Sequence, residues 1–263
     1  MPRYLAILWV FVKNSMQNEA AYRANLLTNM LLTVVGVTGS VAGVLVIYSH
    51  ARTIQGWTLP ETLALLGVFT LMNGLINTFI APNLNEFAEG VRKGTLDYTL
   101  IKPVNSQFLT SFQRCSIWGL ADVLVGLGIV GYALLTGFEQ GVGPVQVLAF
   151  SIASAAGAVI IYSLWIGLAT IAFWTVKIDN ITSILQAFYN MGRFPVQAYP
   201  LWMQRVLTYI VPVAFVTTIP VQALGNRATP LLLAASVLVA VVMLYLSTRL
   251  WRLGLSRYTS ASS

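Results

Sequence analysis

Apolar stretches of about 20 residues alternate with short polar segments along this chain, which is the pattern of helices that cross a bilayer. A further apolar stretch at 181–191 is short, and Arg193, Pro195 and Pro200 interrupt the chain before it becomes apolar again at 206–224. With this stretch as the fifth, the pattern predicts an all-α polytopic membrane protein with six transmembrane helices. The other five spans are placed at residues 26–48, 62–81, 117–136, 145–175 and 231–247.

The amino-terminal stretch 4–12 is also apolar, but polar residues follow it and lead into the first span. No small-x-small cleavage pattern follows, unlike in a secretory signal peptide. Trp9 and Phe11 suit the headgroup region and Lys13 suits water. We therefore predict that residues 1–22 form a helix along the cytoplasmic interface. The alternative is an extension of the first span.

The composition indicates whether the chain folds in water or in a lipid bilayer. Hydrophobic residues make up 57% of it, charged residues 9%, and the mean hydropathy is +0.76. Soluble domains carry about 25% charged residues, so this is an integral membrane protein. We attribute its net charge of +7 to basic residues that orient the protein in the membrane, and not to nucleic-acid binding. With one cysteine, Cys115, and one histidine, His50, we predict no disulfide, no metal site and no catalytic site.

The basic residues predict the orientation, because cytoplasmic loops are enriched in Lys and Arg. Six spans put both termini on one side, and 11 of the 15 basic residues fall on that side. The remaining four are Arg52, Arg193, Arg205 and Arg227. Both termini and the loop after the second span are therefore predicted to lie in the cytoplasm. The predicted location of the protein is the cell (inner) membrane.

Small residues recur at spacings that let helices approach closely. The pairs are Gly36 with Ser40 and Gly39 with Gly43 in the first span, and the run 154–158 lies in the fourth. We expect these seams to pack within the subunit, with contact between two subunits as the alternative.

Asn73 and Asn77 lie on one face of the second span, because they are four residues apart. Together with Thr33, or with Gln186 and Asn190, they either line a transport path or form hydrogen bonds between helices.

Asp122 is the acidic residue placed inside a span, which makes it a candidate functional residue. It either pairs with another helix or water, or takes part in proton coupling. Arg114 is eight residues away, about 12 Å along a helix, which is too far for a direct pair.

A charged segment, residues 89–105, separates the second and third spans. It must face water, because charged side chains are costly in hydrocarbon. It does not have the G-x-x-x-x-G-K-[ST] spacing of a phosphate loop. Any dependence on ATP must therefore come from another polypeptide.

Two passages resemble the permeases of ABC-2-type ABC transporters. Residues 90–105, GVRKGTLDYTLIKPVN, are similar to the G-x-L-x-x-x-L-x-x-P region after the second span of that family. Residues 193–215, RFPVQAYPLWMQRVLTYIVPVAF, are similar to its proline and tryptophan stretch before the last span. The order of the spans also matches, so the resemblance covers nearly the whole chain as one transmembrane domain, 1–263. It indicates the branch of small permeases that lack a fused ATPase.

The resemblance implies a short coupling helix within a cytoplasmic loop, 83–106, that contacts a nucleotide-binding subunit. The residues implied in this contact are Glu89, Arg92, Lys93, Gly94, Thr95, Leu96, Asp97 and Tyr98. Leu96, Tyr98 and Leu100 are expected to supply its apolar anchoring. The alternative is an ordinary solvated loop.

The resemblance also implies short re-entrant helices at 193–224, with Pro195, Pro200 and Pro212 at turns and helix starts. The implied partners are an ATPase subunit that binds ATP and Mg²⁺, a second permease that is identical or related, and membrane lipids. The implied function is ATP-driven export. A proton-coupled secondary carrier that uses Asp122 and a membrane scaffold without transport activity are the alternatives.

Overall fold

In the computed structural model, the chain forms a bundle of helices, described for residues 2–20, 23–138, 141–174 and 179–258. Within these residues the extended backbone is limited to one bridge between Ile54 and Trp57. The helices are α1 Pro2–Ala20, α2 Arg23–His50, α3 Leu59–Leu75, α4 Ala81–Lys93, α5 Asp97–Leu100, α6 Ser106–Phe112, α7 Trp118–Thr136, α8 Pro144–Ile171, α9 Asp179–Asn190, α10 Leu201–Arg205, α11 Ile219–Leu224 and α12 Pro230–Arg257.

Five helical stretches are long and apolar enough to cross a membrane, which confirms the five spans placed directly from the pattern. They are Leu31–His50, Leu59–Val91, Trp118–Thr136, Pro144–Ile171 and Pro230–Arg257. Prolines stand in the first turn of several of these helices, where the missing N–H has no intrahelical acceptor, as at Pro144 and Pro230.

Helix α9, which covers the stretch predicted as the fifth crossing, is not among these five candidate spans. Helix α9 has 12 residues, which extend about 18 Å against a hydrocarbon core of about 30 Å. The family resemblance also implies that this crossing begins as early as Val176, which lies outside the described residues. Beyond α9, the helical segments 201–210 and 214–224 are bent by 81° at a short break, and together they form either a broken sixth span or a re-entrant loop.

The prolines of this segment stand where its helices begin or break. Pro195 precedes a 3₁₀ turn, Pro200 precedes α10, and Pro212 lies in the break at the 81° bend. Proline fixes its own backbone and donates no hydrogen bond, so each position interrupts a helix where the chain turns.

A π-helical turn, Ile76–Ile80, joins α3 to α4. The helix of the second span therefore extends beyond the length that a bilayer requires. Pro82 has no N–H for the carbonyl of Thr78 four residues earlier, and the N–H of Ser116 donates to it instead at 2.8 Å. Asn83 donates to the carbonyl of Arg114 at 2.6 Å and accepts from its N–H at 2.8 Å. These bonds hold the residues that lead into the third span against the second span.

Helices α3 and α7 approach so closely that their contact is built on glycine. A Cβ on Gly74 would lie 2.6 Å from the backbone nitrogen of Val123, and one on Gly126 would lie 2.5 Å from that of Leu71. Gly67 and Gly119 are similarly restricted. The glycines are seven residues apart in each helix, so they recur on one face.

The expected small-residue seams have two outcomes. In the fourth span, a Cβ on Gly157 would lie 3.0 Å from the Cα of Val216, so this seam packs within the chain as predicted. In the first span the expectation is wrong, because an added Cβ on Gly36, Gly39 or Gly43 would meet no atom of the described chain within 4 Å. Only 6% of the first span is buried, so its small residues face outward.

Helix α1 packs against the segment between the second and third spans. The ring of Tyr4 contacts that of Phe108 edge to face, and the hydroxyl of Ser15 accepts from the N–H of Cys115 at 3.0 Å. Trp9 and Leu5 are exposed. We call the end of the bundle formed by residues 83–116 the charged end. The interfacial location of α1 stays a prediction.

Candidate transport and coupling sites

A cavity of about 510 Å³ lies between the first three spans, and we call it the first cavity. Its polar lining comes from side chains on all three helices and from the segment that follows α9. These residues are Thr33, Ser40, Thr70, Asn73, Asn77, Ser116, Asp122 and Arg193.

Asp122 connects the three spans that surround this cavity. Its carboxylate is 8% exposed and accepts hydrogen bonds from the hydroxyl of Thr33 at 2.7 Å and from the amide of Asn77 at 3.3 Å. The structure therefore brings together Asp122 with Thr33, Asn73 and Asn77 of the residues considered for a transport path. Arg114 is directed elsewhere and pairs with Glu86, with Nη2 and Oε1 2.9 Å apart.

Arg193 also faces the first cavity, which the sequence did not indicate. Its guanidinium lies over the ring of Phe69, 5.1 Å from the centroid. Tyr189 stacks on the same ring and donates to the carbonyl of Phe69 at 3.1 Å, which fixes the end of α9 against α3. The short α9 is the feature that places Arg193 here. Charge counting had assigned it only to one side of the membrane.

Gln186 and Asn190 line a different cavity, of about 440 Å³, together with Ala81, Leu84 and Trp165. The expectation that they share one path with the asparagines of the second span is therefore not met in this conformation.

The charged segment continues the second span and then turns back. Gly94 ends α4 with a φ of 71°, a left-handed conformation that favours glycine. Glu89 and Lys93 form an ion pair one turn apart on α4. The side chain of Arg92 lies outside the described part of the structure.

The apolar residues of this segment point in opposite directions. Leu96 is 4% exposed and belongs to the core of the bundle, whereas Tyr98 is 74% exposed and Ile101 79%. The expected outward anchoring by Leu96 is therefore corrected, because this side chain is covered by the chain itself. Leu100 is partly buried against the core. The exposed apolar pair of the segment is Tyr98 and Ile101, and the sequence had not singled out Ile101.

An aromatic cluster connects the charged segment with three spans. Phe87 lies in the middle of α4, Phe173 lies just after α8, and Trp251 lies near the end of α12; their ring centroids are 5.1 to 5.6 Å apart. Tyr258 contacts Phe173. Burial and the nearby Asp97 carboxylate raise the pKa of the Tyr258 hydroxyl, which places Asp97 beside the end of the last span.

At the opposite end of the bundle, a buried ion pair joins the start of the second span to the loop before the last. Glu61 is buried, caps α3 together with Thr58, and pairs with Arg227, with Oε1 and Nη2 2.9 Å apart. Arg227 also donates to the carbonyl of Gly56 at 2.8 Å. The spacing of Thr58 and Glu61 is that of a capping box, a signal present in the sequence.

Among the described residues no group of His, Cys, Asp and Glu is arranged to hold a metal ion.

Comparison with protein families gives one match. The model of a family described as "ABC-2 family transporter protein" matches residues 34–262. No curated protein and no solved structure matches the chain.

Proposed function

This chain belongs to the ABC-2 family of transporter proteins, and from that premise we propose that it is the permease subunit of an ATP-driven exporter. It is a multi-pass membrane protein. In the proposal it lies in the inner membrane with both termini in the cytoplasm. A separate subunit binds ATP and Mg²⁺ and hydrolyses the ATP, because this chain has no phosphate loop.

The observation that carries the proposal is the form of the charged segment. It exposes Tyr98 and Ile101 and anchors itself through Leu96 in the core. Aromatic side chains that are exposed on a short rigid helix are suited to fill a pocket in a partner. Glu89, Lys93 and Asp97 add charges around this apolar pair.

A push on this segment has a physical route to the spans. Leu96 shares a core with Phe87 in α4 and with the aromatic residues at the carboxyl-terminal ends of α8 and α12. Close-packed cores transmit displacement because they have few voids to absorb it. In the proposal, closure of the ATPase subunits moves these helix ends together.

The exposed first span is the proposed site of pairing with a second permease, identical or related. Its outward small residues allow close approach, and lipids cover the part that remains. The first cavity, with Thr33, Asn73 and Asn77, then lies beside the path between the two permeases.

Co-expression with phosphate-loop ATPase subunits from the same genome tests the proposal. We expect a stoichiometric complex that hydrolyses ATP in proteoliposomes and exports substrate only when ATP is present. Transport by the isolated chain driven by a pH gradient would contradict it and would favour proton coupling through Asp122.

A further inference from the structure

The first cavity contains two opposite charges that are not paired with each other. Among the described residues, the carboxylate of Asp122 accepts hydrogen bonds from the neutral side chains of Thr33 and Asn77. The guanidinium of Arg193 contacts the ring of Phe69 and no carboxylate of the described chain. Both charges line the cavity, so both are available to a ligand.

The carboxylate of Asp122 has room for a cation. An ionised carboxylate offers about four acceptor positions, and its two hydrogen bonds use only part of them. Neutral donors do not cancel its charge, and a carboxylate within a membrane is stabilised most by a positive partner. The chemistry at this end of the cavity therefore favours an amine.

The spacing of the two charges limits the ligand further. Arg193 contacts Phe69 and Asp122 contacts Asn77, positions eight residues apart on the second span, or about 12 Å along a helix axis. The two charges therefore contact the second span about two turns apart, so a ligand that pairs with both must carry an amine and an acidic group at separate positions.

The rest of the cavity suits an alkyl chain. Leu32, Val37, Leu66 and Trp118 supply apolar walls, and the volume of about 510 Å³ lies in the range of small-molecule sites. Gly36 lines the cavity and is exposed, so the cavity opens at the surface of the first span. A chain attached to the headgroup can leave through this opening.

We propose that the first cavity binds a zwitterionic amphiphile, with its amine at Asp122 and its acidic group at Arg193. The assignment rests on the proposed transport function and names the substrate class of that site.

Binding of three probes to the full-length chain tests this assignment. The probes are lysophosphatidylethanolamine, lysophosphatidic acid and a chain-matched alkylamine, each with a fluorophore at the end of the alkyl chain. Nanodiscs of phosphatidylglycerol contain no competing zwitterion. We expect the zwitterion to bind at least about tenfold more tightly than either singly charged probe, because only it satisfies both charges.

Two variants separate the contributions of the two charges. Asp122→Asn should weaken binding of the zwitterion and the alkylamine and spare the phosphate probe, and Asp122→Glu should retain part of the amine binding. Arg193→Gln should weaken binding of the zwitterion and the phosphate probe. Arg205→Gln, which removes an exposed arginine outside the cavity lining, is the matched control and should change none of the three affinities.

Equal affinity for all three probes, or unchanged affinities in both variants, would overturn the assignment. Melting temperatures show whether each variant is folded, and Arg193→Gln remains decisive if Asp122→Asn does not fold. The assay needs neither ATP nor an ATPase subunit. A missing ATPase partner would therefore contradict the proposed function alone, and charge-independent binding would contradict this assignment alone.

Discussion

At the scale of single residues, the ion pair between Glu61 and Arg227 shows what a buried charge requires. Glu61 satisfies its carboxylate with a backbone N–H at the start of its helix and with the guanidinium of a distant loop. Burial makes each partner necessary to the other, because an unpaired buried carboxylate is strongly unfavourable.

We therefore expect Arg227→Gln to lower the free energy of unfolding by about 1 to 3 kcal/mol, less than for a fully buried pair because the arginine is partly exposed. The double variant Glu61→Gln with Arg227→Gln should recover part of this loss, because no unpaired carboxylate remains. Thermal unfolding in detergent measures both, with Arg205→Gln as the control. Equal losses for Arg227→Gln and Arg205→Gln would contradict a structural role for the pair.

Residues such as Glu61 and Asp122 differ in how far the sequence can place them. The capping box at Thr58 and Glu61 is a local signal. By contrast, the contacts of Asp122 with Thr33 and Asn77 depend on the rotation of three helices about their axes, and hydropathy does not determine that rotation. Arg193 enters the first cavity because α9 ends within the bundle, which a count of basic residues on each side does not register.

At the scale of elements, the lengths of five spans could be predicted because a bilayer imposes a minimum apolar length on any helix that crosses it. The helix against which each span packs could not be predicted. The glycine contact between α3 and α7 was not predicted, and the small residues of the first span, which look similar in sequence, face outward. Which small residues lie at a helix contact depends on which helices pack together, and not on the spacing of those residues alone.

Helix α7 offers a test of that contact within a single turn. Gly126→Ala would place a Cβ 2.5 Å from the backbone of α3, whereas an added Cβ on Gly128 meets no described atom within 4 Å. We expect Gly126→Ala to lower the free energy of unfolding by about 1 to 3 kcal/mol or more, as overpacking does. Gly128→Ala should be neutral or slightly stabilising, because alanine favours helix.

Melting temperatures of the two variants in the same detergent make the comparison. If both variants melt at the same temperature, the helices do not approach as closely as the structure describes.

At the scale of the whole molecule, the proposed coupling to an ATPase depends on exposed side chains at one end of the bundle. The family resemblance implies that the segment between the second and third spans contacts an ATPase subunit, but it does not tell which apolar residues of the segment face outward. That distinction follows from the turn at Gly94, which directs Leu96 into the core and leaves Tyr98 outside.

Tyr98→Ala should lower ATP-driven transport more than the ATPase activity of the complex, because it removes the apolar contact proposed with the ATPase subunit and leaves the spans intact. A loss of about 2 kcal/mol in that contact corresponds to a roughly 30-fold weaker association. Tyr209→Ala is the matched control, because Tyr209 is similarly exposed and lies outside the charged segment.

Transport and ATP hydrolysis are measured in the same proteoliposomes for both variants. Equal behaviour of the two would show that Tyr98 does not contact the ATPase subunit.

The π turn between α3 and α4 has a mechanical consequence. From Leu59 to Lys93 the second span and its continuation cover 35 residues, 17 in α3, 5 in the turn and 13 in α4. They form a rod of about 52 Å, which is about 20 Å more than the hydrocarbon core requires. The turn divides this rod into two arms. Asn73 lies on one arm, in the wall of the first cavity, and Lys93 ends the other. A tilt of about 10° about the turn moves the end of the 13-residue arm, about 20 Å away, by about 3 to 4 Å. The second span can therefore act as a lever that pivots at the π turn, where Pro82 interrupts the helical hydrogen bonds.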